Sequence, residues 1–232
     1  MSRKVDVARA GPGVQKAAVE GLARRVVGGA YAEGDTLDQS ALMAELHVSQ
    51  TVLREAIEVL TGKGLLDVRQ KRDTRVRPPD DWNLLDTDVL RWKLAADVPS
   101  DFFADLLELR RSIEPAAASL AAVHRTDEDL AALDAALAAM KAGWEDAVLA
   151  VRADASFHTA LLAASHNRFF AQLRRVIIPV LIERDRRVQL AGTAEDPVAV
   201  HAAVVDHIRN GDVDGAYMAT LELLDMAMRQ HP

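Results

Sequence analysis

SALMAELHVSQTVLREAIEVLTGKG, from Ser40 to Gly64, decides how the first third of the chain folds. Ala41–Leu46 reads as a short helix that Ser40 can cap. Ser49 can cap a longer helix from Gln50 to about Lys63, which Gly64 ends. Glu55 comes too late to complete a capping box with Ser49. Only His47 and Val48 lie between the two helices, the spacing of a tight helix-turn-helix. On the longer helix Val52, Ala56, Ile57 and Leu60 share a core-facing stripe. Gln50, Thr51 and Arg54 project near its N-terminal end, where a helix in a major groove meets bases and phosphates.

Outward from this stretch, Val14–Val27 places apolar residues at helical spacing, and Gly28-Gly29 stops it. Gly34-Asp35 makes a turn followed by Leu37. Residues 65–69 and 74–77 alternate apolar and polar side chains around the polar tip Gln70–Asp73, the pattern of a short hairpin. Three helices and a basic hairpin predict a winged helix-turn-helix over residues 14–79, preceded by a flexible arm at 1–13. Pro78-Pro79-Asp80-Asp81 marks its boundary.

Charge supports the division. Residues 1–79 hold 13 Lys+Arg against 10 Asp+Glu, and the rest of the chain holds 15 against 25. The basic excess clusters between Lys63 and Arg77, so Lys71, Arg72 and Arg75 are candidates for phosphate or minor-groove contact. The alternative for Arg54 is a solvated pair with Glu58 at i+4, and for the wing an exposed basic loop.

The whole chain of 232 residues is 50% hydrophobic and 27% charged, with few Gly, Pro and aromatic residues; this excludes disorder and argues for helices over a β-sandwich. With no cysteine, disulfides, zinc-thiolate sites, iron-sulfur clusters and a cysteine nucleophile are excluded. MSRKVDVARAGPG lacks a signal-peptide h-region and no apolar stretch reaches 18 residues, so a cytoplasmic protein without a membrane partner is expected.

Beyond a linker at 80–99, with a helix over about 84–96, only helical patterns appear. They run over 101–124, 127–141, 145–164, 168–190, 197–210 and 213–229. Thr126, Asp127, Asn167, Asp196 and Asp212 are placed as caps, and Pro115 and Pro179 should kink or restart their helices. Residues 100–232 are thus expected to form an antiparallel all-α bundle, whose interior is a natural ligand site. Asp154 and His158 are four apart and share a helix face, and His201 falls on a later helix that can pack beside them. One carboxylate and two imidazoles suit a divalent ion such as Zn, Ni or Mn; the alternative is a paired or exposed surface histidine. His207 is about 240° round the helix from His201 and cannot face the same ion. His47, His124, His166 and His231 lack partner spacing and read as turn, cap or tail residues.

These motifs resemble a known family. Residues 34–37 (GDTL), 44–46 (AEL), 48–49 (VS), 53–57 (LREAI) and 64–66 (GLL) are similar to the winged-helix domain of GntR-family bacterial transcription regulators. Residues 109–115 (LRRSIEP), 154–158 (DASFH), 161–167 (LLAASHN) and His201 with 208–212 (IRNGD) resemble the FadR-type, or FCD, effector and dimerisation domain of that family. The segment 82–92 (WNLLDTDVLRW) is similar to the linker helix of galactonate-operon repressors.

The resemblance implies a homodimeric repressor that binds a palindromic operator and is released by a carboxylate effector, an aldonic or related sugar acid. It implies Asp154, His158 and His201 as metal ligands, with Arg110 meeting the effector; a salt bridge from Arg110 to Glu114 is the alternative. The pattern also departs from the family. A further metal-binding histidine expected near Leu223 is absent, leaving an incomplete ligand set. Ala41 and Gln50 stand where arginines are usual, and the wing glycine is replaced around Asp73. Arg184, Arg186 and Arg187 are further candidates to face the cavity, with their phases unresolved. The competing function is a metal-dependent enzyme using the same Asp/His cluster, although no His-Glu-x-x-His motif or nucleophile elbow accompanies it. A purely structural dimerisation bundle is the third reading.

Overall fold

The structure is a computed structural model and describes residues 12–68, 73–96, 98–191 and 196–229. The chain forms two compact units, residues 1–97 and 98–232.

Unit 1 opens with α1 (Pro12–Val27), which stops at the glycine pair as expected; Gly29 takes φ +78°. Helix α2 (Gln39–Leu46) starts earlier than Ser40 would cap it. Asp38 is the cap, its carboxylate accepting from the amides of Ser40 at 2.9 Å and Ala41 at 3.0 Å. An anion there also meets the positive end of the helix, an advantage a serine hydroxyl lacks. His47 closes α2 in the left-handed region, φ 53°. Helix α3 (Gln50–Gly62) starts on Ser49, whose hydroxyl accepts from the Val52 amide. It buries Val52, Leu53, Ala56, Ile57 and Leu60, the expected stripe with Leu53 added.

Strands β1 (Leu66–Val68) and β2 (Thr74–Val76) pair antiparallel, with Leu66 opposite Val76 and Val68 opposite Thr74. Both are shorter than expected, and the tip with Lys71 and Arg72 lies outside the described residues. Residues 34–37, expected as a turn and its exit, instead run along the other edge of β2. Gly34 donates to Val76, Val76 to Asp35 and Leu37 to Thr74, at 2.9–3.1 Å. One buried side chain, Leu37, is too little alternation to reveal such a strand-like segment in sequence.

The proline pair ends the sheet, but the chain stays on unit 1. After a single 3-10 turn at Pro79–Asp81, helix α4 (Thr87–Leu94) packs on α1, shorter than the expected 84–96 because Asp86 caps its start. Trp82, Val89 and Trp92 join the unit's core. The Trp92 indole donates to Glu20 at 2.8 Å, and Glu20 also accepts from Arg91. Lys63, at the end of α3, donates to Asp86 at 2.7 Å and to Asp88 at 3.0 Å. Gly64, with φ +84°, permits this approach: a Cβ there would lie 2.6 Å from the Asp81 carbonyl oxygen.

Unit 2 is the expected bundle: α5 (Ser100–His124), α6 (Asp127–Gly143), α7 (Ala147–Ala164), α8 (Arg168–Ala191), α9 (Val198–Asn210) and α10 (Val213–Arg229). Links of two or three residues after α6, α7 and α9 turn each following helix back on its predecessor, while α5 packs mainly on α10 and α7. Thr126 caps α6 in a capping box with Asp129, so Asp127 is the first helical residue and not the cap. Asn167, Asp196 and Asp212 accept from the opening amides of α8, α9 and α10, as expected. The helices run through Pro115 and Pro179 without restarting. Each proline deletes one hydrogen bond, but α5 is held on both sides of Pro115 by buried Glu114, Ala117, Ala118, Ala121 and Ala122. Phe157, Leu133, Leu161, Val204 and Ile208 form the centre of the core. Helix α7 is long and apolar enough by composition to cross a membrane, and half of it is buried within this bundle.

Candidate functional site

Two surfaces carry chemistry. On unit 1, Gln50, Thr51 and Arg54 are exposed at the start of α3, clear of the core. Arg54 Nε stands 3.7 Å from Glu58, so the i,i+4 pair exists, but both side chains are largely in solvent and such a pair holds the guanidinium weakly. Arg75 is exposed on β2, 3.7 Å from Asp73.

On unit 2, residues from α5 to α10 line a small, partly enclosed cavity of about 60 Å³. One turn of α7 puts Asp154 and His158 on its wall, and α9 brings His201 opposite. Ligand atoms of these three lie within 4.8 Å of one another. The Phe157 ring stands edge-on to both imidazoles, with centroids 5.4 Å and 4.5 Å away, and fixes their planes from behind.

The hydrogen bonds of each histidine set which nitrogen faces the cavity. His201 Nδ1 lies 2.8 Å from the Pro197 carbonyl, which can only accept, so Nδ1 carries a proton and Nε2 is the nitrogen that faces Asp154. That Nε2 is buried, makes no hydrogen bond, and sits 3.1 Å from Asp154 Oδ1. Two lone pairs this close repel unless a proton or a cation lies between them. His158 Nδ1 is 2.9 Å from Glu114 Oε2, the outer carboxylate that commonly orients a metal-binding imidazole, and its Nε2 is 3.6 Å from Asp154 Oδ2. The residues present therefore fit a divalent cation.

Arg110 satisfies both of its sequence readings. It pairs with Glu114 at 2.8 Å, fully buried, and also lines the cavity, with Nη2 2.8 Å from His158 Nε2. Burial alone would raise Glu114, but the Arg110 and His158 charges outweigh it and bring its pKa down to about 2. Burial likewise opposes ionisation of Asp154, yet His158, His201 and Arg110 hold it well below the usual carboxylate range, so the cluster contains a carboxylate anion.

Among the three candidate arginines on α8, Arg184 lines the cavity, donating to Asp185 Oδ1 at 2.7 Å and to the Ala227 carbonyl of α10. Arg186 is exposed and held by Glu183. Arg187 lies over the Phe103 ring and donates to the Val98 carbonyl. The phase was available in the sequence: Ile177, Val180, Leu181, Arg184 and Val188 form one buried stripe.

Sequence reasoning missed Asp185, which lines the cavity in hydrogen-bond contact with Asp154; burial and the Asp154 charge push its carboxyl well above the usual range. His207 stays outside the cluster, paired with Asp212 at 2.8 Å.

A winged helix-turn-helix joined to a helical bundle with a polar, histidine-lined cavity defines a DNA-binding regulator with a ligand-sensing domain. The chain belongs to the GntR family: residues 14–76 match the model of bacterial regulatory proteins of the gntR family, and residues 105–226 match the FCD domain. It is 33% identical over 212 residues to the galactonate operon transcriptional repressor of Escherichia coli, covering 90% of this chain and 93% of that one. It is also 33% identical over 198 residues to an E. coli putative L-lactate dehydrogenase operon regulatory protein, covering 82% and 76%. Among solved structures it is similar in fold to the Streptococcus agalactiae GntR, with TM-score 0.52, 23% identity and 93% and 99% of the two chains covered. It is similar also to Listeria monocytogenes Lar, with TM-score 0.60, 18% identity and 93% and 96% covered. The chain is a ligand-responsive transcription regulator, and the reading as a metal-dependent enzyme finds no support among its relatives.

Proposed function

We propose that this regulator is a homodimeric repressor of sugar-acid catabolism genes, acting on operator DNA in the cytoplasm and released by an aldonate-like effector bound in the unit 2 cavity. The carrying observation is the convergence of Asp154, His158, His201 and Arg184 on one partly enclosed cavity. The similarity to a galactonate operon repressor along nearly the whole chain supports the same substrate class. Asp154, His158 and His201 would hold the cation. A Zn, Ni or Mn ion held there would supply Lewis-acid attraction for an anionic effector.

Arg184 is the cation best placed for the effector's carboxylate. A carboxylate accepting from Arg184 competes with the Ala227 carbonyl, so ligand arrival is felt directly at the end of α10. Arg110 is already committed to Glu114, and its Nη2 contact with His158 Nε2 is one that the cation would replace, while Glu114 positions the ring through Nδ1. On the DNA side, Gln50, Thr51 and Arg54 would read the major groove, while Lys71, Arg72 and Arg75 meet phosphates. Two copies related by a two-fold axis call for a palindromic site. For release, the effector must bind the DNA-incompetent arrangement more tightly than the competent one.

The test is an anisotropy titration with a palindrome from the protein's own promoter region, with and without galactonate and related aldonates. Salt-sensitive binding that one sugar acid weakens is expected. Binding indifferent to every sugar acid tested, together with no ligand-induced thermal shift, would reduce unit 2 to a structural dimerisation bundle.

A further inference from the structure

We propose that Asp185 is a fourth protein ligand of the cation, and that ligating it releases Arg184 to receive the effector's carboxylate. The assignment rests on the metal reading given above for Asp154, His158 and His201. It adds a residue that neither the sequence motif nor helical periodicity on α7 and α9 marks.

Geometry carries it. His201 Nε2 is an unpartnered nitrogen on a residue only 2% exposed, and it points at Asp154 from across the cavity. Asp185 comes from a third helix, α8, lines the same cavity, and contacts Asp154. Leu223, on α10, also lines the cavity but offers no donor atom. Three donors from α7 and α9 thus meet at the gap, Asp185 approaches it from α8 beside Asp154, and α10 closes it with an apolar side chain. Asp185 is held in place by Arg184 Nη1 on its Oδ1.

Charge balance makes the same assignment. A divalent ion held by two neutral imidazoles and Asp154 alone would leave an excess positive charge in a partly enclosed cavity that already contains Arg184, at a cost in solvation. With Asp185 as a second carboxylate, the ion and its ligands are neutral together. Glu114 balances Arg110, leaving Arg184 as the uncompensated cation of this group. One negative charge completes the site, which matches an effector with a single carboxylate.

The experiment is Zn²⁺ titration of the full-length protein by calorimetry, alongside the visible absorption of the Co²⁺ form, in wild type, Asp185→Asn, and Asp185→Asn combined with Leu223→His. Asparagine keeps the size and the acceptor for Arg184, and the EDTA-treated melting curve verifies that each variant folds. We expect Asp185→Asn to weaken Zn²⁺ binding at least about tenfold and to shift the Co²⁺ bands. We expect Leu223→His in that background to restore most of the affinity from the opposite wall. Wild-type affinity and an unchanged Co²⁺ spectrum in Asp185→Asn would overturn the role of Asp185 while leaving the three-residue site intact. Failure of the wild type itself to bind Zn²⁺ or Co²⁺ would overturn the underlying metal reading and this assignment with it.

Discussion

His201 turns Nε2 toward Asp154 Oδ1 at 3.1 Å because its Nδ1–H donates to the Pro197 carbonyl, 2.8 Å away on the other side of the ring. The two groups are on different helices, and the backbone of a third position sets their relation. Such an arrangement is stable only with something positive between the two atoms.

Removing the carboxylate should therefore abolish the benefit of metal. In wild type, Zn²⁺ at one hundred times its dissociation constant should stabilise the fold by about 2.7 kcal/mol, an upward shift of several degrees in Tm. In Asp154→Asn that shift should vanish while the metal-free melting temperature stays within a few degrees of wild type. Differential scanning calorimetry with Zn²⁺ and with EDTA checks it.

Glu114→Gln should strand Arg110 in a fully buried site and destabilise unit 2 by roughly 3–5 kcal/mol, the usual cost of breaking a buried pair on one side. Replacing both partners by apolar residues, Arg110→Met with Glu114→Leu, should recover most of that loss. Urea denaturation followed by circular dichroism measures both. A single variant as stable as wild type would mean the pair contributes nothing to the fold.

Helix α4 should loosen in acid. Glu20 is depressed chiefly by its hydrogen bond from Arg91, with burial opposing and Trp92 assisting. Asp86 is depressed by Lys63 and by the amides it caps, against the opposing effect of burial. Carboxyls with lowered folded-state pKa values stabilise the docked helix fully above their ordinary range, and that contribution is lost as pH falls through the range and below it. Fluorescence of Trp82 and Trp92 should report a transition on acidification that Glu20→Gln moves toward neutrality.

Operator affinity should separate the two kinds of contact. Arg54→Ala is expected to cost about 1–3 kcal/mol and relax preference at one base position if its guanidinium reads a guanine. Arg75→Ala should instead weaken binding to all sequences similarly and reduce the slope of log affinity against log salt by about one. Fluorescence anisotropy at four or five salt concentrations distinguishes them.

Much of this molecule was legible because its signals are local. Ser49 and the stripe from Val52 to Leu60 specify α3 without reference to the rest of the chain, and the pairing of Arg110 with Glu114 follows from i,i+4 spacing on one helix. The Asp154, His158 and His201 cluster needed one step beyond locality, the meeting of α9 and α7 across the cavity, which the sequence left open and the family resemblance made specific. Asp185 was hidden inside the charged run from Glu183 to Arg187, where solvent exposure is the ordinary fate of every side chain. Its burial depends on the rotation of α8 against its neighbours. The edge segment at 34–37 escaped for a different reason: its hydrogen bonds are made by backbone, to a strand nearly forty residues away.

The clamp on α4 also dictates where this protein can be spliced. A chimera joining its reading head to a different sensor should keep residues through Ala96. A junction at Pro78-Pro79, the boundary suggested by composition, would discard Trp82, Val89 and Trp92 and leave Glu20 and Lys63 without the charged partners they hold across the seam. Portability of the module thus depends on a helix that sequence gazing would assign to the connector.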